Sequence, residues 1–215
     1  WMMPAQPQDG SLKLPQKSQP LSAAVYVEAV HTLEAQLPQL QPQPEQLGKL
    51  LWLLETQLGC FPSSIYPGDG ADISLFDHAK TTAAIAACLS EYVQANHITD
   101  LRKALFEQEK DFCQKDAFLL YTADFSCIQK FLYTVRTENA LRSLRSRSFF
   151  LELFMEHYLD ELLAGCGVSR ANLIYSGGGH CYVLLPNTAA VADTLTRWNR
   201  QFNRWLQQQF GTQLF

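Results

Sequence analysis

A run of three glycines stands between two apolar stretches of the sequence, residues 172–175 and 181–185. The two stretches predict strands, and the glycines between them predict a tight turn. Glycine at such a turn permits positive φ and lets a ligand approach the backbone closely, as a phosphate or a ribose requires. We therefore predict a hairpin whose tip binds a nucleotide. The residues assigned to this contact are the glycines and their neighbours on each side: Ser176, Gly177, Gly178, Gly179 and His180.

A purely structural explanation of the glycine run is a tight hairpin without a ligand. One or two glycines are enough for a two-residue turn, so a third favours a functional role over this explanation.

A second candidate lies upstream, where the apolar segment 118–124 ends in Asp124 and is followed by the helix-like segment 128–135. A carboxylate at a strand end can hold Mg²⁺ against nucleotide phosphates. Phe125 and Ser126 follow directly and are predicted to line the same nucleotide pocket. Two-metal chemistry needs a second carboxylate, but the hairpin tip offers His180, so we predict a site that binds a nucleotide without catalysing its reaction.

Arginines are concentrated in a short stretch, at positions 136, 142, 145 and 147. Arg142 and Arg145 are one turn apart on a predicted helix and can donate charge-assisted hydrogen bonds to ATP phosphates or to an RNA backbone. An ordinary solvated helix face explains them equally well.

The composition is that of a soluble globular protein, with 215 residues, 47% hydrophobic and 18% charged residues, and a net charge of −4. No apolar run reaches the ~18 to 20 residues that a membrane span needs, so no membrane association is expected and a cytoplasmic location is predicted. The six cysteines form no CxxC pair, which favours free thiols over a zinc knuckle or a disulfide framework.

Helical spacing of apolar residues predicts helices over 21–37, 47–58 and 75–95, with Asp72 to Ser74 offering a cap for the third. Residues 1–20 and 38–44 are rich in Gln and Pro and are predicted to be flexible or turn-rich.

From residue 118 onward the pattern changes to strand, short helix, long helix over 141–164, hairpin, and final helix near 188–209. This order predicts a β-α-β-β-α-β ferredoxin-like palm whose last strand would begin near Thr212, so we expect a piece of a longer protein. The fold class is therefore α+β. Three regions are expected: a flexible segment over 1–20, a helical part over 21–110 and an incomplete palm over 111–215.

These segments resemble the large subunit of type III CRISPR effector complexes, the CRISPR polymerase family, and most closely its type III-A form. Three stretches carry the resemblance: FPSSIYPGDGADISLFDHAKTTAAIAACL over 61–89, LLYTADFSCIQKFLYTV over 119–135, and ALRSLRSRSFFLELFMEHYLDELL with ANLIYSGGGHCYVLLPN over 140–187.

The resemblance implies an antiviral protein that synthesises cyclic oligoadenylate from ATP and cleaves single-stranded DNA when the complex recognises target RNA. It implies an N-terminal HD nuclease domain and two palms, with Mg²⁺ or Mn²⁺ as the metal. Its partners would be guide and target RNA, a single-stranded DNA substrate and the other effector subunits. This chain would hold the end of the HD domain and most of the first, GGDEF-like palm, and is expected to be inactive alone.

The chain departs from the family pattern at two places. Cys127 stands where the family has glycine, and no His-Asp dipeptide is present, so the HD metal site is incomplete in these residues. The resemblance gives His78 a metal-binding role, while the alternative is that Asp77 stabilises the positive N-terminus of a helix and His78 packs. A function from another class remains open, namely a non-catalytic scaffold or interaction module of a ribonucleoprotein complex.

Overall fold

The computed structural model describes residues 23–40, 43, 46–63, 73–134 and 139–214. The predictions for residues 1–20 and for Arg136 lie outside the described residues. The chain divides into two compact units, Trp1–Ala83 and Ala84–Phe215. The region boundaries predicted at residues 20 and 110 stay predictions. In the described part of the chain, no helix combines the length and the apolar character needed to cross a membrane.

The described part of the first unit is helical. It contains α1 (Ala23–Gln36), followed by a short 3₁₀ turn, and α2 (Leu47–Leu58). The Tyr26 ring packs on Phe61, with 4.7 Å between ring centroids, and Phe61 is almost fully buried. These helices confirm the predicted all-α character of the N-terminal region.

Helix α3 (Leu75–Ala95) starts in the first unit and ends in the second. Ser74 caps it, since its Oγ accepts from the Asp77 backbone N–H at 2.9 Å and donates to the Asp77 carboxylate at 2.7 Å. The first of these bonds satisfies one free backbone donor of the first turn, and the second holds the Ser74 hydroxyl in place. The cap predicted within 72–74 is therefore Ser74.

The second unit is built on a three-stranded antiparallel sheet of order β1-β3-β2. Its strands are β1 (Phe118–Asp124), β2 (Leu173–Gly177) and β3 (His180–Pro186). A π-helical turn (Lys103–Glu107) and the short α4 (Glu109–Phe112) precede β1. Helices α5 (Ile128–Tyr133) and α6 (Ala140–Gly165) connect β1 to β2, and α7 (Ala189–Phe210) follows β3.

Side chains on the two long helices and on one face of the sheet form the core. Apolar residues recur along α6 at helical spacing, which places Leu151, Tyr158 and Leu162 on its buried side. From the sheet, Cys181, Val183 and Leu185 contribute side chains that are fully buried. Aromatic rings of α6 and α7 stack between them, such as Phe154 on Phe202 with 5.3 Å between centroids. The sheet thus has one covered face, which we call the core face.

The α+β fold class and the order of elements agree with the sequence predictions, with small corrections at element ends. Helix α5 ends at Tyr133, before the predicted residue 135, and residues 135–138 lie outside the described part. The strands of the hairpin are longer than predicted, and Gly177 belongs to β2. The tip is therefore two residues long instead of three.

Candidate nucleotide-binding site at the hairpin tip

Strand pairing brings together the predicted acid and the predicted histidine. Asp124 ends β1 directly opposite His180, the first residue of β3. Opposite residues of an antiparallel pair share one face, so both side chains lie on the face of the sheet away from the core, which we call the open face. Their Oδ1 and Nδ1 atoms are 3.8 Å apart, and the Asp124 side chain is 64% exposed. Asp124 thus offers an accessible carboxylate beside an imidazole.

The turn next to this pair consists of Gly178 and Gly179. Both have positive φ, 62° and 85°, and Gly177 pairs with His180 across them. Positive φ at both central residues is the signature of a type I′ turn, the connection that matches the twist of a hairpin. The fold alone therefore accounts for two of the three glycines.

Gly179 also packs closely against a side chain of α5. A Cβ built on it would lie 2.2 Å from Ile128 Cδ1 at the start of α5, whereas one on Gly178 would have no atom within 4 Å. The Phe125 N–H donates to the Gly179 carbonyl at 3.0 Å, which joins the turn to the end of β1. The turn, the end of β1 and α5 therefore form one packed unit, and Gly178 is its open, accessible point.

Ser176 does not join this group. It pairs with Cys181, whose side chain is fully buried on the core face, so Ser176 and His180 lie on opposite faces of the sheet. A Ser176 hydroxyl contact to a ligand at Asp124 would have to pass around the edge strand.

Phe125 lies in the core. Its ring is 6% exposed and stacks on Phe154 and Phe202 with centroid distances of 5.4 and 5.9 Å. Phe125 therefore packs in the core next to the site and does not line a nucleotide pocket on the open face. Ser126, the next residue, is half-buried in the β1–α5 turn.

Cys127 adopts the left-handed conformation, with φ 68°, directly before α5. This conformation is favourable for glycine and costs other residues about 1–2 kcal/mol. The requirement for positive φ gives a physical reason for the glycine that the resembled family has here. The Cys127 side chain is exposed.

The arginines near the start of α6 have different surroundings. Arg147 donates to the Phe131 carbonyl, and its guanidinium lies 5.2 Å from the Phe131 ring centroid, so it fastens α5 to α6. Arg142 and Arg145 are exposed, in agreement with either prediction made for them.

Metal ligands are few among the described residues. No group of three or more His, Cys, Asp or Glu side chains there has the geometry to hold an ion. Mg²⁺ takes near-octahedral oxygen ligands and usually keeps several waters. A single exposed carboxylate at Asp124 fits this ion only when nucleotide phosphates and water supply the remaining ligands.

His78 lies in the first unit and is exposed on the first turn of α3. Its neighbour Asp77 is occupied by the Ser74 cap. Asp77 therefore lies where a carboxylate stabilises a helix N-terminus, whereas His78 is exposed and does not pack as the alternative expected.

Sequence reasoning missed two groups that shape the open face. Tyr182 lies edge-on to His180, with 4.7 Å between ring centroids, and Tyr175 lies opposite Tyr182. Their spacing of two residues from His180 and Gly177 was a readable signal, since alternate residues of a strand share a face.

Comparison with known proteins gives consistent matches. The family described as Csm1 subunit domain B matches residues 117–215. The "CRISPR system single-strand-specific deoxyribonuclease Cas10/Csm1 (subtype III-A)" of Mycobacterium tuberculosis is 46% identical over 190 residues, covering 88% of this chain and 24% of the relative. The protein with the same description from Streptococcus thermophilus is 35% identical, covering 92% of this chain and 26% of the relative. The chain therefore spans about a quarter of the length of these curated relatives.

Solved structures agree in fold. A Csm1–Csm4 cassette in complex with pppApA superposes with a TM-score of 0.80 at 29% identity, covering 96% of this chain and 27% of that one. A Csm1–Csm4 cassette in complex with AMPPNP gives a TM-score of 0.77, also at 29% identity, with coverage of 95% and 26%. Csm1 in T. onnurineus gives 0.69 at 30% identity, with coverage of 88% and 24%.

Proposed function

Because this chain belongs to the Csm1 family of subunits of type III-A CRISPR complexes, we propose that it supplies an ATP-binding palm that does not itself catalyse. The whole protein would synthesise cyclic oligoadenylate from ATP and cleave single-stranded DNA on recognition of target RNA. Its location would be cytoplasmic, and its partners would be guide and target RNA and the other effector subunits.

The observation that carries this proposal is the convergence of Asp124, His180 and the Gly178–Gly179 turn at one end of the open face. An accessible carboxylate, an imidazole and an uncrowded backbone turn are groups that can meet a metal-bound triphosphate. Solved relatives in complex with AMPPNP, with one ATP and with pppApA support an adenine nucleotide as the ligand.

Each residue of the site would make a different contact with the nucleotide. Asp124 would contact a Mg²⁺ or Mn²⁺ ion that arrives with the nucleotide, and His180 would approach its phosphates. Gly178 would let the nucleotide lie against the backbone, since no atom approaches its Cβ position within 4 Å. One carboxylate in place of the two that two-metal catalysis uses supports binding without catalysis.

The direct test is ATP binding to the 215-residue chain, with and without Mg²⁺, by calorimetry and by NMR shifts of residues 177–180. We expect shifts at these residues and at least about tenfold weaker binding in Gly178→Trp, because the indole would occupy the ligand's approach. Absence of binding at millimolar ATP in the parent chain would count against the proposal.

Gly167→Trp is the matched control. Gly167 also has positive φ, 71°, with no atom within 4 Å of its Cβ position, but it follows α6 at the opposite end of the sheet. Both variants therefore carry the same backbone strain and the same added side chain. Equal loss of ATP binding in both would mean that folding, and not the site, was disturbed.

In the whole protein, Asp124→Ala and Gly178→Trp should abolish oligoadenylate synthesis and leave complex assembly intact. Unchanged synthesis in both variants would refute the role of this palm.

A second candidate function is a non-catalytic scaffold. Exposed apolar side chains on the open face favour it, among them Leu120 at 63% exposure. Structures of relatives also include Csm1–Csm4 cassettes. Loss of complex assembly in Leu120→Asp, with ATP binding unchanged, would support this function.

The metal role of His78 is a separate proposal that depends on ligands outside the described residues. His78→Ala should lower DNA cleavage by the whole protein without changing oligoadenylate synthesis.

A further inference from the structure

Helix α7 carries a line of arginines that none of the functions above uses. Arg197, Arg200 and Arg204 are all exposed and are spaced three and four residues apart. Residues with this spacing lie on one face of a helix, so the three guanidinium groups form a single line along about 10 Å of helix axis. We call this line the arginine stripe.

The stripe faces away from the core. The opposite side of α7 packs inward through Leu195, Trp198, Phe202 and Leu206. The arginines are therefore outside the packed core.

The arginines of the stripe outnumber the acidic residues on the same face of α7. Residues 194–215 contain the three arginines and no aspartate or glutamate, and the acidic residue of the helix is Asp193, one turn before Arg197 on the same face. Among the described residues, none of the three forms an ion pair, and the one polar contact is from Arg197 to Thr194 Oγ1 at 3.4 Å. By contrast, Arg170 on the same unit is paired with Glu156 and Asp160, each at 2.7 Å. The stripe is therefore a face with an excess of positive charge, and no ion pair holds its arginines among the described residues.

We propose that the arginine stripe binds the phosphate backbone of a single-stranded nucleic acid. Arginine donates two parallel hydrogen bonds to a phosphate, and a row of arginines suits a ligand with repeated phosphates. Two further donors, Gln201 and Gln208, lie on the same face by helical spacing and are also exposed.

The composition of the stripe favours a nucleic acid over an acidic protein surface. Protein interfaces have an apolar or aromatic centre, whereas nucleic-acid interfaces are more polar and more positive. On this face of α7, Asp193 precedes the arginines, and the exposed positions 197, 200, 201, 204 and 208 are arginine or glutamine. Trp205 lies at its margin, 39% exposed, where the indole offers a face on which a base can stack.

The test is binding of a labelled oligonucleotide of mixed sequence, as RNA and as DNA, to the 215-residue chain by fluorescence anisotropy over a range of salt concentrations. The variant R197Q/R200Q/R204Q keeps good helix formers at exposed positions, and its thermal unfolding should match that of the parent chain. The matched control is K103Q/K110Q/K115Q, which removes the same charge from exposed positions of the same unit.

We expect the arginine variant to bind at least about tenfold more weakly at moderate salt. Its slope of log affinity against log salt concentration should be shallower by about 2, because each phosphate neutralised on a single strand contributes about 0.7. The lysine variant should stay close to the parent chain in both respects. If the arginine variant loses the same affinity for RNA and for DNA, the ligand is the sugar-phosphate backbone that both share. If it loses affinity for one of them alone, that nucleic acid is the ligand.

Three results would overturn the proposal: no oligonucleotide binding by the parent chain at low salt, unchanged binding in the arginine variant, or equal losses in the two variants. Unchanged oligonucleotide binding in the arginine variant would instead favour an acidic protein surface as the partner of the stripe. The proposal does not depend on the ATP site, because Gly178→Trp and the arginine variant change different surfaces and are read out with different ligands.

Discussion

The two faces of the three-stranded sheet come from the same strands but have different tasks. On the core face, Val183 and Leu185 are fully buried beneath α6 and α7. On the open face, Leu120 and Asp124 are well exposed, and Asp124 meets His180. Alternation along each strand assigns neighbouring residues to opposite faces. Stability and ligand chemistry can therefore be changed separately here by substituting adjacent residues.

Cavity formation should give the largest contrast between the faces. Leu185→Ala should lower the free energy of unfolding by about 2–5 kcal/mol, because the side chain is fully buried. Leu120→Ala removes the same atoms from the open face, and should change it by no more than about 0.5 kcal/mol. Urea unfolding followed by circular dichroism measures both. Similar losses would mean that the open face is also packed.

The turn offers the next contrast, between two adjacent glycines. Gly179→Ala should cost about 1.5–3 kcal/mol, because φ is positive and because the end of the Ile128 side chain must rotate away from the new Cβ. Gly178→Ala carries only the cost of positive φ, about 1 kcal/mol. The same unfolding experiment compares them. A Gly178 variant as unstable as the Gly179 variant would contradict the open position of Gly178.

Alkaline pH should destabilise the protein through its core face. Burial raises the pKa of the Cys181 thiol above 9.0 and, despite its hydrogen bonds, the pKa of the Tyr121 hydroxyl above 10.0. The unfolded chain loses these protons first, so stability is full below pH 9 and falls as the pH rises through the raised pKa values. Burial also raises the pKa of the Cys88 thiol to about 11, so the loss of stability continues up to about that pH.

Thermal unfolding from pH 8 to 11 checks this expectation. Tyr121→Phe should reduce the slope of Tm against pH above pH 10. The slopes are compared, and not the Tm values, because loss of the hydroxyl lowers Tm at every pH. Tyr182→Phe on the open face is the control. A flat Tm profile for the parent chain would be inconsistent with the buried thiol and phenol groups.

The smallest effect on stability should come from the site itself. Asp124→Asn should change the free energy of unfolding by no more than about 0.5 kcal/mol, because the side chain is largely exposed. Metal-dependent ATP binding should nevertheless weaken. Asp116→Asn, before the other end of β1, is the control for both measurements. A large loss of stability in Asp124→Asn would show that the carboxylate is structural.

Much of the fold was predictable because its signals are local. Strand β1 and helices α2 and α3 were predicted with their observed bounds, since alternation, helical spacing and flanking proline, glycine or serine residues mark them. The convergence of Asp124 with the hairpin followed from the palm order of elements.

The detailed site was less predictable because it depends on register. A three-residue tip would have paired Ser176 with His180 on one face, while the two-residue turn pairs Gly177 with His180 and sends Ser176 to the other face. A shift of one residue changes the face of every side chain in a strand. The burial of Phe125 was unpredictable for a related reason. It follows the last residue of β1, so the alternation of side chains along the strand does not determine on which face of the sheet it lies.

The Asn172 side chain connects two parts of the second unit that are far apart in sequence. It is fully buried, and its Nδ2 group donates to the Leu184 carbonyl at 2.9 Å, with Cys88 Sγ at 3.2 Å and the Ala84 carbonyl at 3.4 Å. The middle of α3 and the central strand are thus joined through this amide and through the Cys88 thiol, which donates to the Leu184 carbonyl at 3.6 Å. In hydrogen–deuterium exchange, the backbone amides near Cys88 and those near Leu184 should therefore open together and share one protection factor.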